Sequence, residues 1–594
     1  MSILVQKYGG TSVADPDKIL AAAGKAVRAS QEGYQVVMVV SAMGKNTDML
    51  VDLARQINQQ PPAREMDMLL STGEQVSVAL MAMAIESLGH QAVSLTGSQI
   101  GIRTDSTHTR ARIISISTER IEQLLSEGQI VIAAGFQGID ENFDITTLGR
   151  GGSDTTAVAL AAVLGAARCE IYTDVDGIYT TDPRKLASAR RMSHVSYDEM
   201  LELASLGAGV MHSRSIEFAK KYSVPILVQS SMVEGPGTII TEIPADLSKA
   251  VRGAALAEDE AIITLAGVPD IPGSSNEVFS QIANQKITVD MIVQNIGKEG
   301  HSGLSFTIPR DELGMTMEVI ERLRQTLEIK DVSYSADVSK VSVVGSGMAH
   351  QPGVAEKMFR SISDAGINVL MITTSQIKIS VLVHKNDARK ALEAVHDTFE
   401  LEIPAENELP RLSEIAHPRA EAERVDVVDR LRGMEEIVID EISLDTNQSR
   451  ITLEGVPDRP GVAAMVFERV AKAGIVVDMI VQSHLDGDGL ANISFTVPHH
   501  DLKATQELCK EIADELPCQE ISSSPQAAKL SVSGIGLRSH TGVAHRMFKA
   551  LGAGGINVEL TNTSEARVNV IVASDDGEQA LALVKGAFAD IERG

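Results

Sequence analysis

Tryptophan is absent from this chain of 594 residues, and aromatic residues of all kinds make up 3%. A core built on large rings is thereby excluded. Val, Ile, Leu, Ala and Met must fill it, the 22 scattered methionines serving as adaptable packing. Cysteine is scarce: Cys169, Cys509 and Cys518 are odd in number and show no C-x-x-C spacing. That argues against a disulfide framework and a cysteine-bound metal, and fits a reducing compartment. Basic residues are outnumbered, 53 Lys and Arg against 80 Asp and Glu, for a formal net charge of −27. Such a field disfavours nucleic acid and anionic membranes as partners. A small anionic substrate stays open, because a few local cations and oriented N–H groups suffice for it. Long apolar runs are missing too, none approaching the ~20 residues of a bilayer span. Met1-Ser2-Ile3-Leu4-Val5 enters a strand pattern at once, without the basic and apolar segments of a signal peptide, so the expected location is cytoplasmic. His499-His500 lacks a third ligand at useful spacing, and no protein-held metal is expected.

What is present is enough sequence for several domains. Residues 1–245 alternate short apolar strands, such as Ile3–Lys7 and Gln35–Ser41, with helical patterns at Asp17–Gln31, Leu70–Leu88 and Thr155–Leu164. This predicts an α/β domain with a mainly parallel sheet sandwiched by helices. The remainder repeats. ITLAGVPD at 263–270 returns as ITLEGVPD at 451–458, and VDMIVQ at 289–294 returns at 477–482. GVAEKMF at 353–359 matches GVAHRMF at 542–548, and GINV occurs at 366–369 and 555–558. Two pairs of units are expected, each unit a ferredoxin-like βαββαβ run. Their expected bounds are 246–335, 336–401, 434–525 and 526–594, with a polar linker at 402–433 holding Pro404, Pro410 and Pro418. Short extra strands, Val251–Leu256 and Ile437–Ile442, precede the first and third units and are expected to pair with the sheets of the second and fourth.

Three motifs in the first domain carry chemistry. Lys7-Tyr8-Gly9-Gly10-Thr11-Ser12 follows a strand and precedes a helix. Its glycines admit a phosphate close to the backbone, although alone the segment is as readily a plain turn. Leu148-Gly149-Arg150-Gly151-Gly152-Ser153-Asp154-Thr155-Thr156 opens a helix, with Arg150 able to fork a carboxylate. Asp154 reads equally as a helix cap. Tyr172-Thr173-Asp174-Val175-Asp176-Gly177-Ile178-Tyr179-Thr180-Thr181-Asp182-Pro183-Arg184 follows a strand and contains two turn signals.

Taken in order, with Val39-Val40-Ser41-Ala42-Met43-Gly44 and Leu70-Ser71-Thr72-Gly73-Glu74 between them, these motifs resemble the amino-acid kinase family and, within it, the aspartokinases. The repeated half resembles their ACT domains, in a subclass with four. The resemblance implies an ATP- and Mg²⁺-dependent kinase acting on L-aspartate; another amino-acid kinase, or an inactive amino-acid sensor, is the alternative. It implies that Lys7, Gly9, Gly10 and Ser41 meet the ATP phosphates, with Asp154 organising Lys7. Thr47 and Glu74 would hold aspartate, Glu74 facing its ammonium. Arg150 would clamp the α-carboxylate beside Gly151, Gly152 and Ser153. Thr173, Asp174, Tyr179 and Arg184 would form the nucleotide site. Gly209 stands where many members carry a lysine, which leaves phosphate charge to Lys7, Arg184, Lys185 and the metal. Gln229 replaces a common arginine.

The ACT resemblance further implies amino-acid effectors, lysine or threonine, and a homodimer or higher oligomer. Asp270, Gly273, Ser275, Asp290, Gln294, Asn368, Val369 and Ser375 would serve the first pair of units. Asp458, Gly461, Ala463, Asp478, Gln482, Asn557, Val558 and Ser564 would serve the second. On the residues alone, Asp270-Ile271-Pro272-Gly273 and Asp458-Arg459-Pro460-Gly461 are as much Pro-Gly turns as carboxylate sites.

Overall fold

The computed structural model describes residues 1–207, 210–242, 249–285, 287–296, 300–351, 353–404, 437–485, 489–537 and 542–591. Gly209 and most of the expected linker lie outside them. The first half is built on an eight-stranded sheet. Its spatial order is His194–Ser196, Thr238–Thr241, Ile226–Ser230, Arg168–Thr173, Ile3–Tyr8, Gln35–Val40, Ile130–Ala134 and Ala92–Leu95. All neighbours run parallel except Ile226–Ser230 against Thr238–Thr241. The central strand, Ile3–Tyr8, is buried throughout, as a strand covered on both faces must be. One cover is the helix Gly152–Val163, every residue of which is buried; its only polar positions cluster in the first turns. The register places Tyr8 beside Val40 and Tyr172, so the segments after three parallel strands emerge together at one edge. Ligands of open α/β sheets bind at such an edge.

The helix Ala63–Ser87 corrects one expectation. It is long and apolar enough to cross a membrane by length and composition. Half of its apolar window is buried in the protein, and it carries the buried carboxylates Asp67 and Glu74, which mark it as a core helix.

The second half is one twelve-stranded sheet. The order strand, helix, strand, strand, helix recurs four times among the described residues, beginning at Gly253, Asp331, Val438 and Glu520. The expected final strand of each run is present in the first and third only. Among the described residues, no strand lies between helix Ala388–Thr398 and the start of the third run at Val438, and none follows helix Gly577–Phe588. Their sheets take a strand from elsewhere: Gly253–Ala257 pairs with Lys340–Val344, and Val438–Asp445 pairs with Lys529–Ile535. Register shifts after Ala257 and Asp445 let each long strand turn to a second partner. An open sheet edge is a liability, and the borrowed strand removes it. The two terminal strands of the sheet also meet. Gln294 Nε2 donates to the Val558 carbonyl at 3.1 Å, and Thr563 Oγ1 donates to that of Asp290 at 2.7 Å.

Helix packing pairs the second run with the third and the first with the fourth. Phe359 meets Phe467 across the first of these seams at 5.4 Å between centroids, and Phe495 meets Phe467 edge-on from the same run at 5.5 Å. Phe279 stacks on Phe548 across the other at 5.9 Å, with Phe306 edge-on to Phe279 at 5.7 Å. Two separate apolar cores result. Phe467 is 3% exposed and joins both rings of its seam. Phe467→Ala should cost about 3–5 kcal/mol, measured by urea unfolding of the full chain followed through the regulatory half.

Candidate functional site

Lys7 is the penultimate residue of the central strand, and Asp154 sits in the first turn of the buried helix. Their ion pair spans Nζ and Oδ1 at 2.5 Å, with both side chains 11% exposed. Gly9 lies against this pair; a Cβ there would stand 3.6 Å from Lys7 Nζ. A Cβ on Gly10 would meet the Ala42 carbonyl oxygen at 2.7 Å, so only glycine lets the Gly9-Gly10 turn and the segment after Val40 approach this closely. Gly44 N–H closes the contact on the Gly10 carbonyl at 3.0 Å, and Ser41 N–H donates to that of Tyr8 at 3.1 Å. Gly73 touches the same turn: its Cβ would lie 2.8 Å from that of Ala42. Next to it, Glu74 Oε1 accepts the Ala42 N–H at 3.0 Å, while Oε2 is buried with no partner. Burial pushes this carboxyl up to about 7. A buried, half-satisfied carboxylate facing a glycine-built turn invites a cationic ligand.

Gly151 caps the buried helix in the left-handed conformation and has no side chain to satisfy its first N–H groups. His212 fills the space beside it; a Cβ on Gly151 would be 2.2 Å from that of His212. Ser153 packs under Gly135, and Arg150 is exposed, with no ion pair to any described residue. Thr47 stands at the second position of the helix Asn46–Ile57, half-buried. The structure thus gathers Lys7, Gly9, Gly10, Ser41, Gly73, Glu74, Ser153 and Asp154 in one contiguous cluster.

The sequence reading missed the residues that brace this cluster. Asp67, two turns before Glu74 on the same helix, accepts the Thr109 N–H, the Thr147 hydroxyl and a His108 nitrogen, at 3.0, 2.5 and 2.8 Å. Arg214 donates to the carbonyls of Leu148 and Ala111 at 2.6 and 2.7 Å. Ser12 Oγ donates to Ser231 Oγ at 2.8 Å, and Ser231 Oγ to the Thr173 carbonyl at 3.1 Å, which ties the first motif to the third. Spacing carries no signal for such long-range braces.

In the third motif, Thr173 donates to Asp174 at 3.1 Å and Tyr179 to Asp176 at 2.8 Å. Arg184 is 88% exposed and paired with Asp182 at 2.9 Å. Lys185 does not face this site. Its ammonium donates to the Leu256 carbonyl at 2.8 Å and pairs with Glu258 at 3.0 Å, so it is committed to the regulatory half. Gln229 donates to the Gly235 carbonyl at 3.3 Å.

The regulatory half regroups the remaining residues. Asn368 Nδ2 donates to Asp458 Oδ1 at 2.9 Å, and Gln482 Nε2 to the Val369 carbonyl at 2.9 Å. Asn557 Nδ2 donates to Asp270 Oδ1 at 3.0 Å, and Gln294 to the Val558 carbonyl. The expected grouping, Asp270 and Gln294 with Asn368 and Asp458 and Gln482 with Asn557, is therefore overturned. Each pocket forms across a helix seam, second run with third and first with fourth. Gly461 and Gly273 start the helices of the two pockets with positive φ. Asp290 and Asp478 are neutralised by Lys340 and Lys529, so neither carboxylate is free for a ligand. Asp290 and Ser564 also border a separate cavity of about 80 Å³ with His545. Ser375 Oγ is buried without a partner. One difference separates the two pockets. Ser275 Oγ donates to Gln294 Oε1 at 2.8 Å, whereas Ala463 leaves Gln482 Oε1 buried and unpaired.

The chain's likenesses agree with this geometry. The profile of the amino acid kinase family matches residues 2–230, and that of the ACT domain matches 341–399, 451–511 and 530–588. Aspartokinase 2 of Bacillus subtilis (strain 168) is 49% identical over 402 residues, 68% of this chain and 98% of that protein. The aspartokinase of Mycolicibacterium smegmatis is 48% identical over 408 residues, 68% of this chain and 97% of its own length. The crystal structure of aspartate kinase from Synechocystis covers 99% of this chain and 98% of its own, with 38% identity and a TM-score of 0.52. Aspartokinase III of E. coli, solved with aspartate and ADP, covers 67% of this chain and 99% of its own, with 26% identity and a TM-score of 0.58.

Glu74 offers a test that needs no substrate. Its folded pKa, about 7, exceeds the ordinary 4.5, so the protonated form is the one the fold favours. That contribution is complete below the unfolded value and is lost as pH rises through about 7. Glu74→Gln cannot ionise and keeps an acceptor for the Ala42 N–H. Its stability relative to the parent should improve by about 2–3 kcal/mol between pH 5 and pH 8, read from urea unfolding at the two values.

Proposed function

The chain belongs to the amino acid kinase family and, within it, to the aspartokinases; from that premise we propose how its residues divide the work. The reaction converts ATP and L-aspartate to ADP and 4-phospho-L-aspartate. The side-chain carboxylate attacks the γ-phosphorus, a P–O bond forms to it, and the bond to the β-phosphate oxygen breaks toward ADP. The nucleophile is ionised at neutral pH, with an unperturbed pKa of ~3.9, and needs no general base. The barrier lies in joining two anions and stabilising charge on the transferred group.

Lys7 supplies that charge, aligned by Asp154, and Gly9, Gly10 and Ser41 admit the phosphates. Thr173, Asp174, Tyr179 and Arg184 hold the rest of the nucleotide. Glu74 meets the aspartate ammonium, and Thr47, Gly151, Gly152 and Ser153 line the pocket. Arg150, free of any described ion pair, takes the α-carboxylate. The observation that carries this division is the buried Lys7–Asp154 pair beside the orphaned oxygen of Glu74, one anion-binding and one cation-binding element on a shared turn. Asp154 is committed to Lys7, and Mg²⁺ brought by the nucleotide would supply further neutralisation of phosphate charge. An inactive sensor would not need the phosphate-binding element intact, and the comparison of aspartate with glutamate below separates the kinases.

The first run, residues 253–337, has the same element order as the ACT-matched segments, and we read it as a fourth ACT unit. The two seam pockets are then effector sites for amino acids, since each presents a carboxylate, amide groups and a helix start. E. coli aspartokinase III has been solved with lysine and aspartate, which favours lysine as one ligand and leaves threonine for the other. Met49, Leu53 and Ile57, with Val76, Leu80 and Met83, form an exposed apolar face on two adjacent helices and support a homodimer or larger assembly. Cys169 and Cys509 are buried thiols with raised pKa values, in keeping with a cytoplasmic protein.

Purified protein should form hydroxamate from L-aspartate, not from glutamate, in the presence of Mg·ATP. Arg150→Ala should chiefly raise the aspartate KM, and Lys7→Ala should chiefly lower kcat, by about 10²–10³, or ~3–4 kcal/mol. Equal KM effects with unchanged kcat would refute the assignment. Asn368→Ala and Asn557→Ala should each abolish calorimetric binding of one effector and relieve its inhibition. Absence of lysine and threonine binding in the parent would dismiss the pocket reading.

A further inference from the structure

Glu202 lies on the helix Tyr197–Ser205, is 1% exposed and takes no part in the site above. Its two oxygens are held by different runs of the regulatory half. Lys378 Nζ, from the second run, pairs with Oε2 at 2.7 Å. The Glu565 N–H, from the fourth run, donates to Oε1 at 3.2 Å. Lys378 and Glu565 occupy corresponding hairpins. Met371–Thr374 leads from Asn368-Val369 of one pocket to Lys378, and Leu560–Thr563 leads from Asn557-Val558 of the other to Glu565. Each hairpin is therefore a short covalent path from a pocket to the kinase half, and both paths end on one carboxylate. One turn earlier, Glu199 Oε1 accepts the Ser346 N–H and hydroxyl at 3.0 and 2.9 Å, so the same helix face is anchored twice.

The helix continues toward the substrate cluster through its neighbour. Lys220 on Ser213–Lys221 pairs with Asp198 at 2.7 Å, which joins the two helices. The start of that second helix holds the clamp loop: His212 abuts Gly151, and Arg214 bonds the Leu148 carbonyl. Arg150 lies between these two holds.

We propose that Glu202 is the positioning residue on which both effector pockets converge, and that it transmits their occupancy to the Arg150 loop through this helix pair. The proposal rests on the reading of the seam pockets as effector sites. A buried carboxylate tolerates no loss of its partners without a compensating shift. An effector that moves either hairpin thus moves the helix. Because both act on one group, lysine and threonine are coupled to each other as well as to aspartate, reciprocally.

The test is the double variant Glu202→Gln with Lys378→Met, which removes both charges together and keeps an acceptor for the Glu565 N–H. In the parent, saturating effector should raise the aspartate KM by roughly 5- to 150-fold. In the variant, this ratio should fall to within about twofold for the effector whose binding Asn368→Ala abolishes. Its calorimetric Kd should stay within about threefold of the parent, and the ratio for the other effector should persist. Basal kcat should be close to parental. Glu202→Gln with Lys378→Leu, which also removes both charges together, gives the same reading if the first double variant does not fold. An effector that binds either variant as before and still shifts the aspartate KM by the parental ratio overturns the relay. A parent that binds neither amino acid removes the pockets, and the relay with them; a parent that binds and is inhibited, with variants equally inhibited, removes the relay alone.

Discussion

The Ala254 N–H donates to the Thr180 carbonyl oxygen at 2.7 Å, and this bond fastens the two halves of the molecule at their most consequential place. Thr180 belongs to the nucleotide segment, between Tyr179 and Arg184. Ala254 belongs to the borrowed strand that completes the sheet of the second run. That strand opens the first run, so the segment that leaves the kinase half closes a sheet whose other strands come later in the chain. Thr180 is gripped again by the buried His396, whose Nε2 lies 3.1 Å from the Thr180 hydroxyl. That hydroxyl already accepts the Arg190 N–H, so its own proton is available to the imidazole. The repeated half is built onto the loop that carries the third motif, as part of its scaffold.

Close approach is the second constraint. Gly10 against the Ala42 carbonyl, Gly73 against Ala42 Cβ, Gly135 against Ser153 and Gly151 against His212 all leave less than a normal Cβ contact. These contacts explain why the motifs are glycine-rich on both sides of a single turn. Two main-chain segments and a helix are brought within hydrogen-bonding distance of one another, and the polar groups of Lys7, Glu74 and Asp154 are set around them. Removing backbone bulk allows charged groups to be buried as partners instead of isolated charges.

Much of this was legible in the sequence. The parallel sheet followed from near-continuous apolar strands, and the grouping of Lys7, Glu74 and Asp154 was what the family resemblance implied. The internal repeat announced the regulatory half. What the repeat concealed was the pairing. All four runs present an apolar helix face of the same kind, so nothing local distinguishes the second run packing on the third from the second packing on the first. The choice is made by long-range contacts such as Phe359 with Phe467 and by the borrowed strands. Asp67 and Glu202 were equally hidden. Each reads as one acidic residue among many on an amphipathic helix, and only tertiary packing turns it into a buried brace. Lys185 misled for the converse reason: it adjoins the nucleotide motif in sequence, while the chain turns its side chain toward Glu258.

The duplication is also unequal in a way that bears on control. Ser275 closes the hydrogen-bonding of Gln294, whereas Ala463 leaves the corresponding oxygen of Gln482 without a donor. An unsatisfied buried acceptor costs about 1–3 kcal/mol, and a ligand that supplies a donor there recovers it. A ligand in the other pocket must instead displace or join a bond already made. Two pockets of one ancestry therefore ask for different chemistry from what they bind. Their hairpins nevertheless end on the same carboxylate, where one holds by charge through Lys378 and the other by a main-chain N–H at residue 565. A charge contact in a buried setting is the stronger of these two holds. Divergence after duplication has thus left unequal hydrogen bonding in the two pockets and unequal grips at the junction, both grips borne by a single helix.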